Sequence, residues 1–479
     1  MNVLAIDQGT SATKALLLCP ERGVLGQGSA PVHPRPVEGG GVEQDPMELL
    51  DSVLLAGNRA LAEAGEPAGA IGLANQGETV LAWSPADGTP LTPAISWQDR
   101  RSAGVCDRLV ASGEAEKLAR ITGLPVDPYF AAPKMTWLRE RGDTGGVVTT
   151  SDSWLLHRLT GARVTDAATA SRTLLLDLDT ADWSPAACAA FGLQDGDLPE
   201  VVDCAGEVGR TDAFGGAAVP VTGLAVDQQA ALFAEACFAA GDAKCTYGTG
   251  AFLLATTGPE PVRSSAGLAA SVAWRLAGRT TYCLDGQAYT AGAAVRWLTE
   301  LGLIASPEDL DRLGGAVPDA GGAVFVPALA GLGAPHWRPL ARGALTGLSL
   351  ATTREHLIRA VVEGLAAQVA ALAAAVAADL GRPLSCLRVD GGLTRSRLLL
   401  QLQADLLQIP VERHASADAT AFGVAALARL GAGDAGSPAD AVGPVAAGER
   451  VEPRIGADEA AERLARFAAA TAAAVELGS

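Results

Sequence analysis

No pair among the eight cysteines stands at C-x-x-C spacing, and the five histidines include no H-x-x-x-H. Zinc-ribbon and thioredoxin readings are thereby excluded. No G-x-x-x-x-G-K-[ST] occurs, so the P-loop scheme for holding phosphates is excluded too. Charge is sparse and one-sided: 36 Lys and Arg face 54 Asp and Glu, a net −18, with no local basic patch. Such a surface repels phosphodiester backbones and acidic lipid head groups, so neither nucleic acid nor a membrane is an expected partner. The most apolar stretch, Leu365 to Ala378, is broken by Gln368 and flanked by Glu363 and Asp379. It is too short and too weak for a membrane span. No basic segment precedes the first strand-like run at Val3–Ile6, and the expectation is a cytoplasmic protein with reduced thiols.

What is present is a chain of 479 residues, 49% hydrophobic, long enough for two or more cores. Residues 3–18 read as a hairpin turning at Asp7-Gln8-Gly9-Thr10-Ser11. Asp45, Pro46 and Glu48 have the spacing of a helix N-terminus. Strands are expected at 70–74 and 147–150, with helical stretches over 100–120 and 134–141, an α/β alternation. Near residue 244 the pattern restarts, with a second hairpin turning at Gly248-Thr249-Gly250. Two such hairpins about 240 residues apart suggest two related lobes, the spacing being that of a domain.

Six short segments carry candidate chemistry. Asp7-Gln8-Gly9-Thr10-Ser11 can offer backbone N–H groups to phosphate oxygens, with Lys14 nearby and Asp7 able to hold a phosphate-bound Mg²⁺. Asn75-Gln76-Gly77-Glu78-Thr79 follows a strand, where α/β proteins place binding residues. Trp97, followed by Asp99 and Arg100 as an expected local ion pair, can stack its face on the C–H side of a polyol, and Tyr129 puts another aromatic in a turn, though an isolated aromatic reads more readily as core or surface. Asp227 opens an apolar helix, where it reads as an N-cap or as a general base facing an attacking hydroxyl. Val389-Asp390-Gly391-Gly392 leaves a strand, and the glycine pair lets a flat base or a phosphate approach the backbone.

Taken in order, these motifs resemble the FGGY carbohydrate kinases, above all their glycerol kinase branch. The resemblance runs from Asp7-Gln8-Gly9-Thr10 through Trp97-Gln98-Asp99-Arg100-Arg101, Asp127-Pro128-Tyr129-Phe130 and Ala170-Ser171-Arg172-Thr173. It continues through Asp227-Gln228-Gln229, Thr246-Tyr247-Gly248-Thr249-Gly250 and Val389-Asp390-Gly391-Gly392, and 343–363 fits the family's C-terminal signature. It implies a two-lobed, actin-like (ribonuclease H-like) α/β fold with the site in a central cleft. The expected lobes are 1–228, holding the polyol and the base, and 229–479, holding ATP. It implies Asp227 as the base and Asp7 with Asp227 at Mg²⁺. Glu78, Trp97, Tyr129, Asp227, Gln228 and Phe252 would line the polyol pocket. Thr10, Ser11 and Lys14 would meet phosphates, with Thr249, Gly292, Arg296, Gly392 and Ser396 around the nucleotide. A homodimer or homotetramer is the family's usual assembly.

Three departures stand out, one on the acceptor side at Gly77 and two on the nucleotide side at Arg296 and Ser396. Glycerol kinases carry Arg where this chain has Gly77, Gln where it has Arg296, and Asn where it has Ser396. Without the Arg, Gly77 is expected to leave a side-chain-sized space that suits a longer polyol or ketose, or fills with water. The expected activity is phosphorylation of glycerol on a terminal hydroxyl. The alternative is a four- or five-carbon acceptor such as erythritol, erythrulose, xylulose or ribulose. A more distant one is an actin- or chaperone-like ATPase, which needs no polyol pocket.

Overall fold

The structure, a computed structural model, describes residues 1–142, 145–415, 418–444 and 448–477. Its first large sheet comprises β1 (Val3–Gln8), β2 (Ala12–Cys19), β3 (Gly23–Pro31), β4 (Ala70–Asn75), β5 (Ala205–Thr211) and β6 (Val219–Val226), in the order β5-β6-β4-β1-β2-β3. β1, β2 and β3 form an antiparallel meander, β4 runs parallel to β1, and β6 runs parallel to β4. The second comprises β7 (Ala243–Tyr247), β8 (Ala251–Gly258), β9 (Ala269–Leu276), β10 (Arg279–Ala288), β11 (Leu387–Asp390), β12 (Val411–Arg413) and β13 (Arg450–Val451), ordered β9-β10-β8-β7-β11-β12-β13. Antiparallel β7, β8 and β10 repeat β1, β2 and β3, while parallel β11 and β12 repeat β4 and β6. The echo between the two hairpins is thus an echo between whole sheets.

The helices that bear on the site are α1 (Pro46–Ala64), α2 (Asp227–Ala234), α3 (Gly292–Glu300), α4 (Arg354–Leu380), α5 (Arg397–Leu407) and α6 (Ala419–Gly431). α1 begins as the sequence predicts, with the Asp45 side chain accepting from Met47 N and Pro46 in the first turn. Its Leu49, Val53 and Ala56 cover Leu4, Ile6 and Leu17 on one face of the first sheet. The other face is covered by α2 and by α6, which comes from far along the chain: Val424, Ala425 and Ala428 pack with Val3, Ala5 and Ala225. This contact is backbone on backbone. A β-carbon at Gly72 would stand 2.5 Å from the Val424 carbonyl oxygen, and one at Gly423 would overlap the Ala230 carbonyl of α2. α4 is the one helix among the described residues long and apolar enough to cross a membrane, and most of it is buried against the second sheet.

Between β3 and β5 the chain adds a five-stranded sheet from residues 35–150, from which the Trp97 loop emerges. The strands expected at 70–74 and 147–150 are observed as Ala70–Asn75 and Val147–Thr150. The helical stretch expected over 100–120 is two helices, Ala103–Ala111 and Ala115–Thr122, parted at Gly113 with φ +79°. All eight cysteines are free thiols.

Candidate active site

β1, β4 and β6 run parallel and end together, so Asp7, the 75–79 loop and Asp227 leave one edge of the sheet. Glu78 in that loop has φ +59°, a left-handed backbone uncommon for a residue with a side chain. It is buried, and its Oε1 accepts from Arg172 Nε at 2.7 Å. Arg172 also reaches the second sheet: its NH2 lies 2.9 Å from Asp285 Oδ2, and its NH1 donates to Ser271 Oγ at 2.7 Å. Burial pushes the Glu78 carboxyl up to about 7, against the pull of Arg172.

Trp97 Nε1 donates to Thr10 Oγ1 at 2.8 Å, which ties the aromatic loop to the β1–β2 turn. The Trp97 ring meets Tyr129 edge-on at 5.8 Å and Phe252 at 6.2 Å, so residues from both halves of the chain build one aromatic wall. The Tyr129 loop is held by Lys134, whose buried Nζ donates to the carbonyls of Pro128, Tyr129 and Phe130 at 2.9, 2.6 and 2.6 Å. Three acceptors satisfy all three N–H bonds of an ammonium, which makes this buried lysine a structural pin. Gln228 Oε1 accepts from Lys244 Nζ at 2.6 Å, and Lys244 also donates to Thr246 Oγ1, which in turn donates to Asp390 Oδ2.

Asp227 is the first residue of α2 and accepts from Gln228 N at 2.7 Å. It does not cap the helix, and burial raises its carboxyl above the usual range despite the nearby Lys244. Asp7 is half-exposed along the cleft, yet desolvation and the Asp227 charge lift it to about 7. Asp390 adds to the same repulsion. Among the described residues, no three His, Cys, Asp or Glu side chains converge on one point. Asp7 and Asp227, whose charges repel, are instead two hard oxygen donors of the kind that hold Mg²⁺ together with phosphate oxygens and water. In the β1–β2 turn, Gly9 N donates to Ala12 O and the Thr10 carbonyl accepts from Gln44 Nε2 at 2.8 Å. Ser11 is exposed, and exposed Lys14 is paired with Asp418 at 2.9 Å.

The residues expected around a nucleotide come together. Thr249, Gly292, Arg296, Gly392 and Ser396 line one cavity of about 880 Å³ beside the second sheet. Gly292 N donates to the Gly248 carbonyl at 2.9 Å, seating the 248–250 turn on the N-terminus of α3. Gly391, at φ +93°, lets β11 turn where a β-carbon would strike Tyr247 O at 2.5 Å, whereas one at Gly392 would meet nothing within 4 Å. Arg296 is exposed on the cavity wall. Ser396 caps α5, accepting from Leu399 N, and donates to Asp311.

Two local expectations are corrected. Asp99 and Arg100 do not pair: Asp99 binds Arg101 at 2.7 Å, and Arg100 binds Asp127 at 2.9 Å. At Gly77 the expected space is narrowed at its start. Val226 Cγ2 stands 2.9 Å from where a β-carbon at Gly77 would be, so a methyl group occupies the start of that direction. Sequence reasoning missed Asp285 and Lys244 as site residues, and Arg172, quoted only within a motif. It also missed Glu308, Asp311 and Arg312 on the cavity wall. A buried charge within an apolar strand, as at Lys244 and Asp285, is the signal that was available.

A duplicated mixed sheet, with carboxylates at the strand ends and a cavity beside them, is the architecture of the actin-like two-domain ATPases. Comparison with known proteins narrows the class. Residues 2–234 match the N-terminal domain of the FGGY family of carbohydrate kinases and residues 243–432 match its C-terminal domain; the chain belongs to that family. It is 44% identical to a glycerol kinase of Alkalilimnicola ehrlichii over 97% of this chain and 96% of that protein. It is 45% identical to one of Thermus brockianus over 90% of each. The crystal structure of Plasmodium falciparum glycerol kinase with ADP superposes with a TM-score of 0.91 at 29% identity, covering 99% of this chain and 98% of that one. The family makes this chain an ATP-dependent kinase.

Proposed function

We propose that this kinase phosphorylates a terminal hydroxyl of a small polyol, with glycerol to glycerol 3-phosphate as the reference reaction. The observation that carries the reading is the position of Asp227. Asp227 leaves the same edge of the first sheet as Asp7 and the loop of Glu78, and its charge is felt by both, so one carboxylate serves the candidate metal side and the polyol side. The relatives named above as glycerol kinases support the acceptor. The hydroxyl oxygen attacks the γ-phosphorus of ATP, the bond from that phosphorus to the β-bridging oxygen breaks, and ADP leaves. The hydroxyl proton passes to Asp227, whose raised carboxyl is a stronger acceptor than an exposed aspartate. Glu78 and Gln228 accept hydrogen bonds from hydroxyls of the bound polyol, while Trp97, Tyr129 and Phe252 shield its C–H face. Mg²⁺, held by Asp7 and Asp227, would neutralise phosphate charge. Thr10, Ser11 and Lys14 would meet the phosphates, and the 880 Å³ cavity would take the nucleoside. In this scheme the chain divides near 228/229, the polyol and base before it and the nucleotide after it.

The test is ADP release from Mg-ATP with and without glycerol, in wild type and Asp227→Asn. The variant is expected to keep nucleotide binding and lose ~10²–10⁴-fold in turnover, the usual worth of a general base. Near-normal turnover would remove Asp227 from that role.

A further inference from the structure

Strand β10 pairs with β8 so that Gln287 lies opposite Phe252 and Asp285 opposite Leu254. Directly paired residues share a face of a sheet, and every second residue returns to it. Asp285, Gln287 and, one step past the strand, Tyr289 therefore form a column on the face that carries Phe252. All three are at least nine-tenths buried, at 2%, 0% and 7% exposure. Each also holds a polar atom with no hydrogen-bond partner: Asp285 Oδ1, Gln287 Oε1 and Tyr289 Oη.

Gln287 Nε2 donates to Asp285 Oδ2 at 2.6 Å, which fixes the amide and leaves its oxygen as a free acceptor. Asp285 Oδ2 also faces Arg172, so both neighbours crowd one oxygen while Oδ1 has none. Arg100 lies over the Tyr289 ring, 4.9 Å from its centre, and its cation acts on the hydroxyl from there. The Tyr289 ring is 6.0 Å from that of Tyr129, and the Asp285 charge is felt at Asp227. The column thus starts near the base: Asp285 lies across Leu254 from Lys244, the partner of Gln228, and Arg172 ties Asp285 to Glu78. Buried polar atoms are nearly always paired in native proteins, and three orphans in sequence on one strand face are paired by something that enters from outside the chain.

We propose that Asp285, Gln287 and Tyr289 are a second hydroxyl-binding wall, and that the preferred acceptor is a polyol or ketose of four or five carbons. Its hydroxyls beyond the third carbon donate to Asp285 Oδ1 and Gln287 Oε1, and Tyr289 Oη donates to a hydroxyl or carbonyl oxygen. Gln287 and Tyr289 are then specificity-determining residues. This rests on the kinase reading of the same site.

The test measures ADP release with Mg-ATP and glycerol, erythritol, threitol, erythrulose, xylulose or ribulose, beside a blank without acceptor. Wild type, Tyr289→Phe and Gln287→Leu are compared by the ratio of kcat/KM for the longer acceptor to that for glycerol. This ratio is independent of the fraction of folded enzyme. At least one longer acceptor is expected to match or exceed glycerol in wild type. Each variant is expected to lower the ratio by about 2- to 15-fold, the worth of one neutral hydrogen bond. Turnover of glycerol alone, or a ratio that neither variant changes, overturns the second wall and leaves the kinase standing. ADP release that no acceptor stimulates overturns the kinase reading itself.

Discussion

The neighbours Gly77 and Val226 allow a prediction whose sign depends on context. In Gly77→Ala the new methyl would sit 2.9 Å from Val226 Cγ2, well inside ordinary contact, and Val226 is buried with no slack. Overpacking of this kind costs about 1–3 kcal/mol. The backbone at Gly77 has no positive φ, so alanine fits its conformation and removes unfolded-state freedom, a gain of about 0.4–1 kcal/mol. The balance is a loss of roughly 0.5–2 kcal/mol in the wild-type background. In Val226→Ala the offending methyl is gone, and the same Gly77→Ala change is expected to stabilise by about 0.5 kcal/mol. The assay is urea unfolding of the four proteins of the cycle, with Tm as a second reading; 1 kcal/mol corresponds to about 2–4 °C for a lobe of this size. The cycle should return a coupling of about 1–3 kcal/mol. If Gly77→Ala stabilises both backgrounds equally, Val226 does not fill the space beside Gly77 and the reasoning fails. The same geometry says that Gly77→Arg needs Val226 made smaller before any gain in glycerol turnover can show.

The Glu78 carboxyl, raised to about 7 from an unfolded value near 4.5, makes the native protein hold a proton that the unfolded chain has released between those values. Its contribution to stability is full below pH 4.5 and is lost as pH rises through 7; relative to Glu78→Gln, wild type should gain up to about 1.4 kcal/mol per unit as pH falls from 7 to 5. Urea midpoints at pH 5, 6, 7 and 8 check this, and a difference without slope, or of opposite slope, refutes it. Arg172→Met strips the shared cation from Glu78 and Asp285, both buried, and is expected to cost ~3–5 kcal/mol. Part of that loss should return at pH 5, where the orphaned carboxyls take up protons; a loss under ~1 kcal/mol in thermal unfolding would count against the tie.

Local signals in the sequence were read correctly where the physics is local. Asp45 and Pro46 start α1, and the β1–β2 and β7–β8 hairpins turn at their small residues. What escaped lies between residues far apart in the chain. Gly77 was visible, but not that Val226, 149 positions later, is what it makes room for. Arg172 stood in a motif with nothing to say that it joins Glu78 on one sheet edge to Asp285 on the other sheet. The pairing of Asp99 was misjudged because adjacency favoured Arg100, whereas the loop turns Arg100 towards Asp127 and leaves Asp99 to Arg101. The unpartnered polar atoms on β10 were illegible for a further reason: alternation shows which residues share a face, but not which of their atoms lack partners.

The first sheet is closed on one side by α6, whose first residue, Ala419, follows the last of β6, Val226, by almost 200 positions. A ribosome adds about 5–20 residues per second, so a nascent chain carries an uncovered apolar sheet for about 10–40 s before its lid is made. The glycines at 72 and 223, which let that lid seat backbone against backbone, also leave the waiting surface smooth and open to strangers. Any fragment that ends at the close of the N-terminal half inherits that state permanently. The first sheet is therefore complete only in the whole chain, its earliest strands finished by one of its latest helices.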